Sequence, residues 1–344
     1  HMGLEWDGLS SEQNWHYLAN LAFGVTTTHD PSRDTEMVFA NSELQKAGKL
    51  LAPRIYSTGT ILYGAVTGFT AEVNSFDDAK RALKRIKAFG GFSVKSYNQP
   101  RREQRQQILK AARELNMHVY PEGGSTLQHN LNMVADGHNG IEHSIPVSPL
   151  YKDVLTLYGE SGVSYTPTLI VSYGGLWGEN YWYSKMNVFE HVRLQSFMPQ
   201  QMLDQKRRRM KIEEDDWNHI ENAKAAKALS DAGVKVNNGA HGQIQGMGVH
   251  WEMWMMVQGG MSPMAALKAS TINGAEYLGM GDDLGSIEEG KLADIVILGK
   301  DPLKNIQNSD SVEMVMINGR LYDATTMNEV VTGNTKRRPL WWEN

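Results

Sequence analysis

The chain has 344 residues, 41% hydrophobic and 21% charged, with 34 Lys and Arg against 39 Asp and Glu for a net charge of -5. That length accommodates one α/β barrel of roughly 250 residues plus a small appendage. The mild acidity argues against a dedicated nucleic-acid binder, the 9% aromatic content argues against disorder, and no apolar run approaches the ~18 residues of a membrane span.

Cysteine is absent, so no disulfide framework or thiolate metal site can form, and any metal must sit on imidazole, carboxylate or a lysine-derived oxygen. The same absence suits an oxidising setting, so a periplasmic or secreted location is the expectation. His1-Met2-Gly3 has the form of a cloning remnant.

Strand-like runs alternate with helical ones along the chain. The strands are expected at Leu21 to Asp30, Arg54 to Leu62, Gly91 to Tyr97, His118 to Glu122, Gly140 to Ile145, Ser164 to Val171 and Val234 to His241. Helices are expected at Asp34 to Lys49, Asp77 to Phe89, Arg101 to Asn116, Leu150 to Glu160 and Glu213 to Ala232. Within Arg101 to Asn116, Ile108, Ala112 and Leu115 recur at helical spacing. Strands alternating with helices predict βα units and a parallel sheet. No Gly-rich dinucleotide fingerprint follows any strand, which speaks against a doubly wound sheet.

A long insertion, residues 173–215, interrupts the pattern before the last strand. It carries Trp177, Tyr181, Trp182 and Tyr183, then the basic run Lys206 to Arg209. Two readings stand: a lid with aromatic walls, or a helical excursion packing its aromatics on the barrel. Beyond the barrel, Gly260 to Leu278 reads as two helices, with Ser262-Pro263 as N-cap and first helical residue. Short strands follow at Asp294 to Leu298 and Glu313 to Asn318, a small β subdomain. Residues 1–280 are therefore read as the barrel and 281–344 as the subdomain and tail.

Polar residues fall at the strand C-termini: His29, Lys95, Glu122, His143 and His241. Barrel enzymes place their chemistry there, where the βα loops meet. Imidazoles and carboxylates on neighbouring strands can bind a divalent ion and acidify its water. A buried lysine is costly unless paired or chemically useful. Each residue alone is more often structural; the four at strand ends (Lys95, Glu122, His143, His241) are the metal and catalytic candidates. His29, Tyr97, Tyr173 and His250 are the further candidates for the mouth, as substrate contacts. Met253, Met255, Met256 and Met261 read as core filling or a pliable pocket.

The run Gly285-Ser286-Ile287-Glu288-Glu289-Gly290-Lys291-Leu292-Ala293-Asp294, with Gly24-Val25-Thr26-Thr27 and Ala269-Ser270-Thr271, resembles the amidohydrolase superfamily. The likeness covers nearly the whole chain. It is nearest the imidazolonepropionase-like and Xaa-Pro dipeptidase-like members, and most of all the amidohydrolase part of proteins that follow a Tol-type propeller.

That resemblance implies a (β/α)8 TIM-like barrel plus a small C-terminal β subdomain. It also implies one or two divalent metals, zinc above all, and metal-bound hydroxide attacking an amide or ester carbonyl. Lys95 matches the strand-four lysine, which carries carbon dioxide in many members. His143 matches the strand-six ligand. The strand-five histidine position falls on or near Tyr120, making Glu122 the substitute ligand or base. The strand-eight aspartate position falls on His241, which can take a proton but supplies no negative charge.

The family's His-x-His on strand one has no counterpart here. Glu5-Trp6-Asp7-Gly8 aligns there, so Glu5 and Asp7 either replace the imidazoles, favouring Mn or Mg, or align by accident, leaving the first strand incomplete or replaced. An open barrel exposes strand edges, so a local segment, a swapped segment, a homo-oligomer or a second chain is expected to fill the gap. The expected activity is hydrolysis of an amide or peptide-like bond in a small molecule or short peptide. An esterase or lactonase with little need of metal, or a degenerate barrel without catalysis, are the alternatives.

Overall fold

The computed structural model describes residues 13–68, 70–206, 210–331 and 335–343. Helix α1 (Trp15–Ala22) leads to β1 (Thr27–Asp30), α2 (Thr35–Lys46), β2 (Arg54–Ser57), β3 (Ile61–Tyr63) and β4 (Thr70–Glu72). Then come α3 (Phe76–Ala88), β5 (Ser93–Ser96), α4 (Arg102–Leu115), β6 (His118–Pro121), α5 (Leu127–Asp136), β7 (Gly140–Glu142), α6 (Lys152–Ser161) and β8 (Ser164–Thr166). The insertion forms α7 (Gly178–Lys185), α8 (Val192–Phe197) and α9 (Gln200–Asp204). Helices α10 (His219–Asp231), α11 (Met247–Gln258), α12 (Pro263–Ala269) and α13 (Ile272–Tyr277) precede β9 (Ile295–Leu298), β10 (Val312–Ile317) and β11 (Arg320–Asp323).

The strands pair in parallel in an order that follows the chain. β1 pairs β2, and the same segment continues as β3, which pairs β5; β5 pairs β6. A bridge from Glu122 to Glu142 carries the order to β7, which pairs β8, and a bridge from Tyr165 to Val236 carries it to the last strand segment. Among the described residues no ladder joins that segment back to β1. The local segment expected to fill the gap, around Leu4-Glu5-Trp6, lies outside the described residues. The last three strands form a separate antiparallel sheet, ordered β11-β10-β9.

Local chemistry explains the helices on the outside. Ser75 caps α3 by accepting from the Asp78 N–H, acids occupy its first turn and Arg85 and Lys87 its last. Its Ala79, Leu83 and Ile86 face inward and meet Ile108 and Leu109 of α4 and the outward side chains Ile55, Val94 and Val119 of the strands. Because successive strand residues point to opposite faces, packing Val94 outward turns Ser93 and Lys95 into the interior.

One expected strand is replaced in part by a helix. Leu21 and Ala22 end α1, and extended chain begins only at Thr27. Asn14 caps that helix, and its Leu18, Ala19, Leu21 and Ala22 pack on Val315 and Ile317 of the C-terminal sheet. Gly24 follows at φ 81°, where a β-carbon would come within 2.9 Å of Val296. The motif aspartate Asp294 accepts two bonds from Arg54, at 2.5 and 3.1 Å, tying the small sheet to the start of β2.

Two of the insertion's aromatics, Trp182 and Tyr183, are buried, while Trp177 is exposed. Trp182 meets Trp254 at 5.0 Å and Tyr183 meets Trp251 at 5.1 Å, both on α11. Lys206, first of the basic run, lies over the Tyr183 ring and 3.8 Å from Glu179.

Glu252 sits fully buried in the same helix. Burial raises its pKa to about 8, with two backbone N–H bonds pulling the other way. The unfolded chain releases this proton near pH 4.5, the folded chain near 8. Between those values the folded state binds more protons, so stability falls as pH rises, by up to about 1.4 kcal/mol per pH unit. The contribution is whole below pH 4.5 and lost above 8. Denaturant titrations of wild type and Glu252→Gln across pH 5 to 8.5 should show a steeper decline in the wild type; parallel curves would contradict this.

Candidate active site

Four of the strand-end residues meet at the C-terminal mouth of the parallel strands. Lys95, next to last in β5, has its Nζ 2.8 Å from Glu122 Oε2. Glu122 follows β6, and its Oε1 lies 2.9 Å from His143 Nε2. Tyr173 donates its hydroxyl to the same Oε1 at 3.1 Å and stacks on His143, ring centroids 4.9 Å apart and planes at 19°. The ring of His241 stands 5.2 Å from that of His143, its Nδ1 engaged by Gln243 Oε1 at 3.0 Å.

The backbone works to bring these groups together. His143, Thr168 and His241, on the loops after three successive strands, adopt left-handed φ of 71°, 51° and 56°. For residues with a β-carbon that conformation costs energy and marks functional loops. Gly123 is the companion device: a β-carbon there would lie 1.9 Å from the Glu142 carbonyl oxygen. Only glycine lets the loop carrying Glu122 press against β7 this closely.

The electrostatics follow from burial and pairing. Burial alone would raise the Glu122 carboxyl, but Lys95 and His143 overcome it and hold the group well below the usual carboxylate range. A carboxylate held so low is a weak proton acceptor at neutral pH. Glu122 therefore carries the negative charge of the site and orients its neighbours. The Tyr173 hydroxyl is pushed up by burial and by Glu122. Burial and the Glu122 charge also raise Tyr97, whose ring meets Tyr63 edge-on at 5.5 Å.

Two candidates lie elsewhere. His29 bonds Ser93 Oγ at 3.0 Å and packs edge-on against Tyr120 at 5.0 Å, deeper between the strands. Burial lowers its pKa to about 4, although Asp30 pulls it upward. His250 joins α11 to the rest of the chain: Nε2 donates to the Phe23 carbonyl at 2.9 Å and Nδ1 accepts from Ser309 Oγ at 3.0 Å. Neither ring nitrogen of His250 is left for a substrate.

Below the mouth a polar layer escaped the sequence reading. Tyr277 reaches in from α13 and donates to Glu142 at 2.7 Å, and Tyr120 donates to the Tyr277 carbonyl at 3.1 Å. Glu142 directly precedes His143, and alternation along β7 turns it inward; that alternation was the available signal.

The resemblance to the amidohydrolase superfamily implies one or two divalent metals, which need a matching set of donors. A catalytic zinc takes three protein ligands and keeps one position open. Glu122 and His143 are a suitable pair, but among the described residues no three His, Asp or Glu side chains come close enough to hold an ion. Lys95 meets Glu122 as an ion pair, and His143 Nδ1 is buried without a hydrogen-bond partner. Glu5 and Asp7 lie outside the described residues. On their own, the described residues do not make up a metal site.

Parallel strands wrapped by helices, with ionisable groups gathered at their C-terminal ends, define a TIM-barrel-like α/β fold with a candidate site at the strand ends. The model of the amidohydrolase family matches residues 21–322, and the chain belongs to that family. Its Thermoplasma volcanium imidazolonepropionase relative is 45% identical over 69 residues, 19% of this chain and 17% of that protein. The Symbiobacterium thermophilum imidazolonepropionase is 56% identical over 39 residues, 11% of this chain and 9% of that one. The matches thus span less than a fifth of those relatives.

Among solved structures, a Xaa-Pro dipeptidase with bound methionine superposes with TM-score 0.67 at 21% identity, covering 90% of this chain and 77% of that one. A prolidase from Bifidobacterium longum, described as putative, gives TM-score 0.68 at 19% identity, covering 94% and 77%. A bottromycin amidohydrolase gives 0.69 at 16%, covering 90% and 74%. At these identities the likeness is one of fold.

Proposed function

We propose that this chain hydrolyses an amide or peptide-like C–N bond of a small molecule or short peptide at the mouth of its parallel strands. The observation that carries the reading is the convergence of Lys95, Glu122, His143 and Tyr173 on one buried spot there. The family and the dipeptidase and amidohydrolase folds support the reaction class. Zinc is the cofactor the family implies, and His143 and Glu122 are what the described residues offer it.

The chain's own groups divide the work. Lys95, held by Glu122, presents positive charge to the oxygen of the scissile carbonyl as it becomes an oxyanion. Glu122 keeps Lys95 and His143 in place. His241 takes a proton from water as the water oxygen bonds to the carbonyl carbon. As the C–N bond breaks, that proton passes to the leaving nitrogen, giving a carboxylic acid and an amine. Tyr97 borders the site as a substrate contact, and Tyr173 closes one side of it.

Among the described residues no third His, Asp or Glu donor joins Glu122 and His143, which favours a second reading, ester or lactone hydrolysis with little need of metal, because esters carry better leaving groups. Zero cysteine supports a periplasmic or secreted setting. No helix among the described residues is long and apolar enough to cross a membrane.

The test is a panel of N-acyl amino acids, dipeptides and aryl esters, assayed with and without added zinc or manganese. The wild type should turn over at least one amide, and His143→Ala should lose it. Ester cleavage that alone survives chelation would move the assignment to the second reading. A chain that cleaves nothing under any of these conditions would overturn both.

A further inference from the structure

We infer that Glu252 is a positioning residue for this site, acting through Tyr173 from a helix on the far side of the intervening loop. The inference deepens the hydrolase reading and rests on it for its catalytic consequence.

Glu252 lies among Trp and Met side chains on α11, fully buried. Its carboxyl accepts the Leu169 N–H at 2.7 Å with one oxygen and the Ile170 N–H at 3.0 Å with the other. These two groups open the single 3-10 turn Leu169–Val171, and the first N–H groups of any helical turn have no partner within it. Thr168, just before, holds the strained left-handed conformation. The carboxyl thus caps, from another element, a turn whose own residue at the cap makes no such bond.

The turn delivers Tyr173. Ser172 Oγ donates back to the Leu169 carbonyl at 2.7 Å. The next residue is fixed at three further points: its N–H donates to Ser144 Oγ at 3.3 Å, and its carbonyl accepts from the Asn218 and Asn222 amides at 3.0 and 3.1 Å. From there the phenol reaches Glu122 and the ring covers His143. Leu169, Ile170 and Ser172 are buried, so a shift of the turn has no room to dissipate before Tyr173. A carboxyl suits this place because it offers an acceptor to each N–H. A glutamine of the same shape serves one N–H and turns an NH2 donor toward the other.

The test uses the full chain with Glu252→Gln, Tyr173→Phe and the double variant. Each single change should lower kcat roughly 10- to 100-fold, the upper figure being what a misplacement of about 1 Å can cost, with KM nearly unchanged. The double variant should be no slower than the slower single, because one removes what the other positions. Multiplying effects, or a change confined to KM, would overturn the inference.

Two readouts stand apart from turnover. Hydrogen exchange of the Leu169 and Ile170 amides should accelerate at least tenfold in Glu252→Gln and stay unchanged in Tyr173→Phe. The ring-carbon resonance of labelled Tyr173, assigned by its loss in Tyr173→Phe, should move in Glu252→Gln. Unaltered exchange and an unmoved resonance would refute the positioning role even in an active enzyme. If they change while the wild type cleaves nothing, the hydrolase reading has failed and the positioning has not.

Discussion

Glu122→Gln is expected to destabilise the chain by about 3–5 kcal/mol, the typical cost of removing one partner of a buried ion pair, and to abolish turnover. The side chains it separates are nearly closed to water: Lys95 is 4% exposed, His143 6% and Glu122 11%. The amide preserves shape and one acceptor but removes the charge that offsets the Lys95 ammonium. Glu122 is held well below the usual carboxylate range, with Lys95 and His143 outweighing its burial, so the stability this gives is whole above the unfolded value near 4.5 and is lost as pH falls through the acid range. The deficit of the variant should therefore shrink as pH falls below about 4.5.

Urea titrations at two pH values measure this, and a companion variant isolates the cause. Lys95→Met with Glu122→Gln removes both charges and should regain most of the stability while remaining inactive. A single variant within about 0.5 kcal/mol of wild type, the range of ordinary surface changes, would mean that water reaches Lys95 freely. The interior pairing would then be no part of how the site is held.

The strand ends were legible in the chain because parallel strands buried on both faces stand out as apolar β-branched runs. Lys95, Glu122, His143 and His241 could be picked out as the polar residues that close such runs, and the structure gathers them. What they do to one another could not be read, because it depends on distances across strands. Glu122 looked like a base until Lys95 and His143 were found on either side of it.

Other residues misled for physical reasons. Leu21 and Ala22 are as apolar as a strand, and the surface they bury against comes from the far end of the chain, Val315 and Ile317. His250 has the composition of a site residue, yet both nitrogens are consumed by Phe23 and Ser309. Glu252 carried the opposite signal and went unread. A single acidic side chain in a helix of Met and Trp is costly unless it is neutral and hydrogen-bonded, and here burial favours the protonated form while two backbone N–H groups bond its oxygens.

His241→Ala should lower kcat by about 10²–10⁴, the usual contribution of a positioned acid–base group, equivalent to roughly 3–5 kcal/mol of barrier. Glu122 is held ionised too firmly to take a proton, and Lys95 and His143 are both engaged with it. His241 faces His143 across 5.2 Å and is pinned through Nδ1 by Gln243.

Stability should respond far less than activity, by about 1 kcal/mol or under, because the ring is partly exposed and alanine inherits the same strained φ of 56°. A structural role and a catalytic one then separate on a third measurement. Imidazole added to His241→Ala can occupy the space the ring leaves and carry the proton in its place. Turnover should rise with imidazole concentration and follow the fraction of its neutral form as pH is varied. Loss of activity that imidazole leaves untouched, with the denaturation midpoint unchanged, would remove His241 from the proton path and return that task to His143.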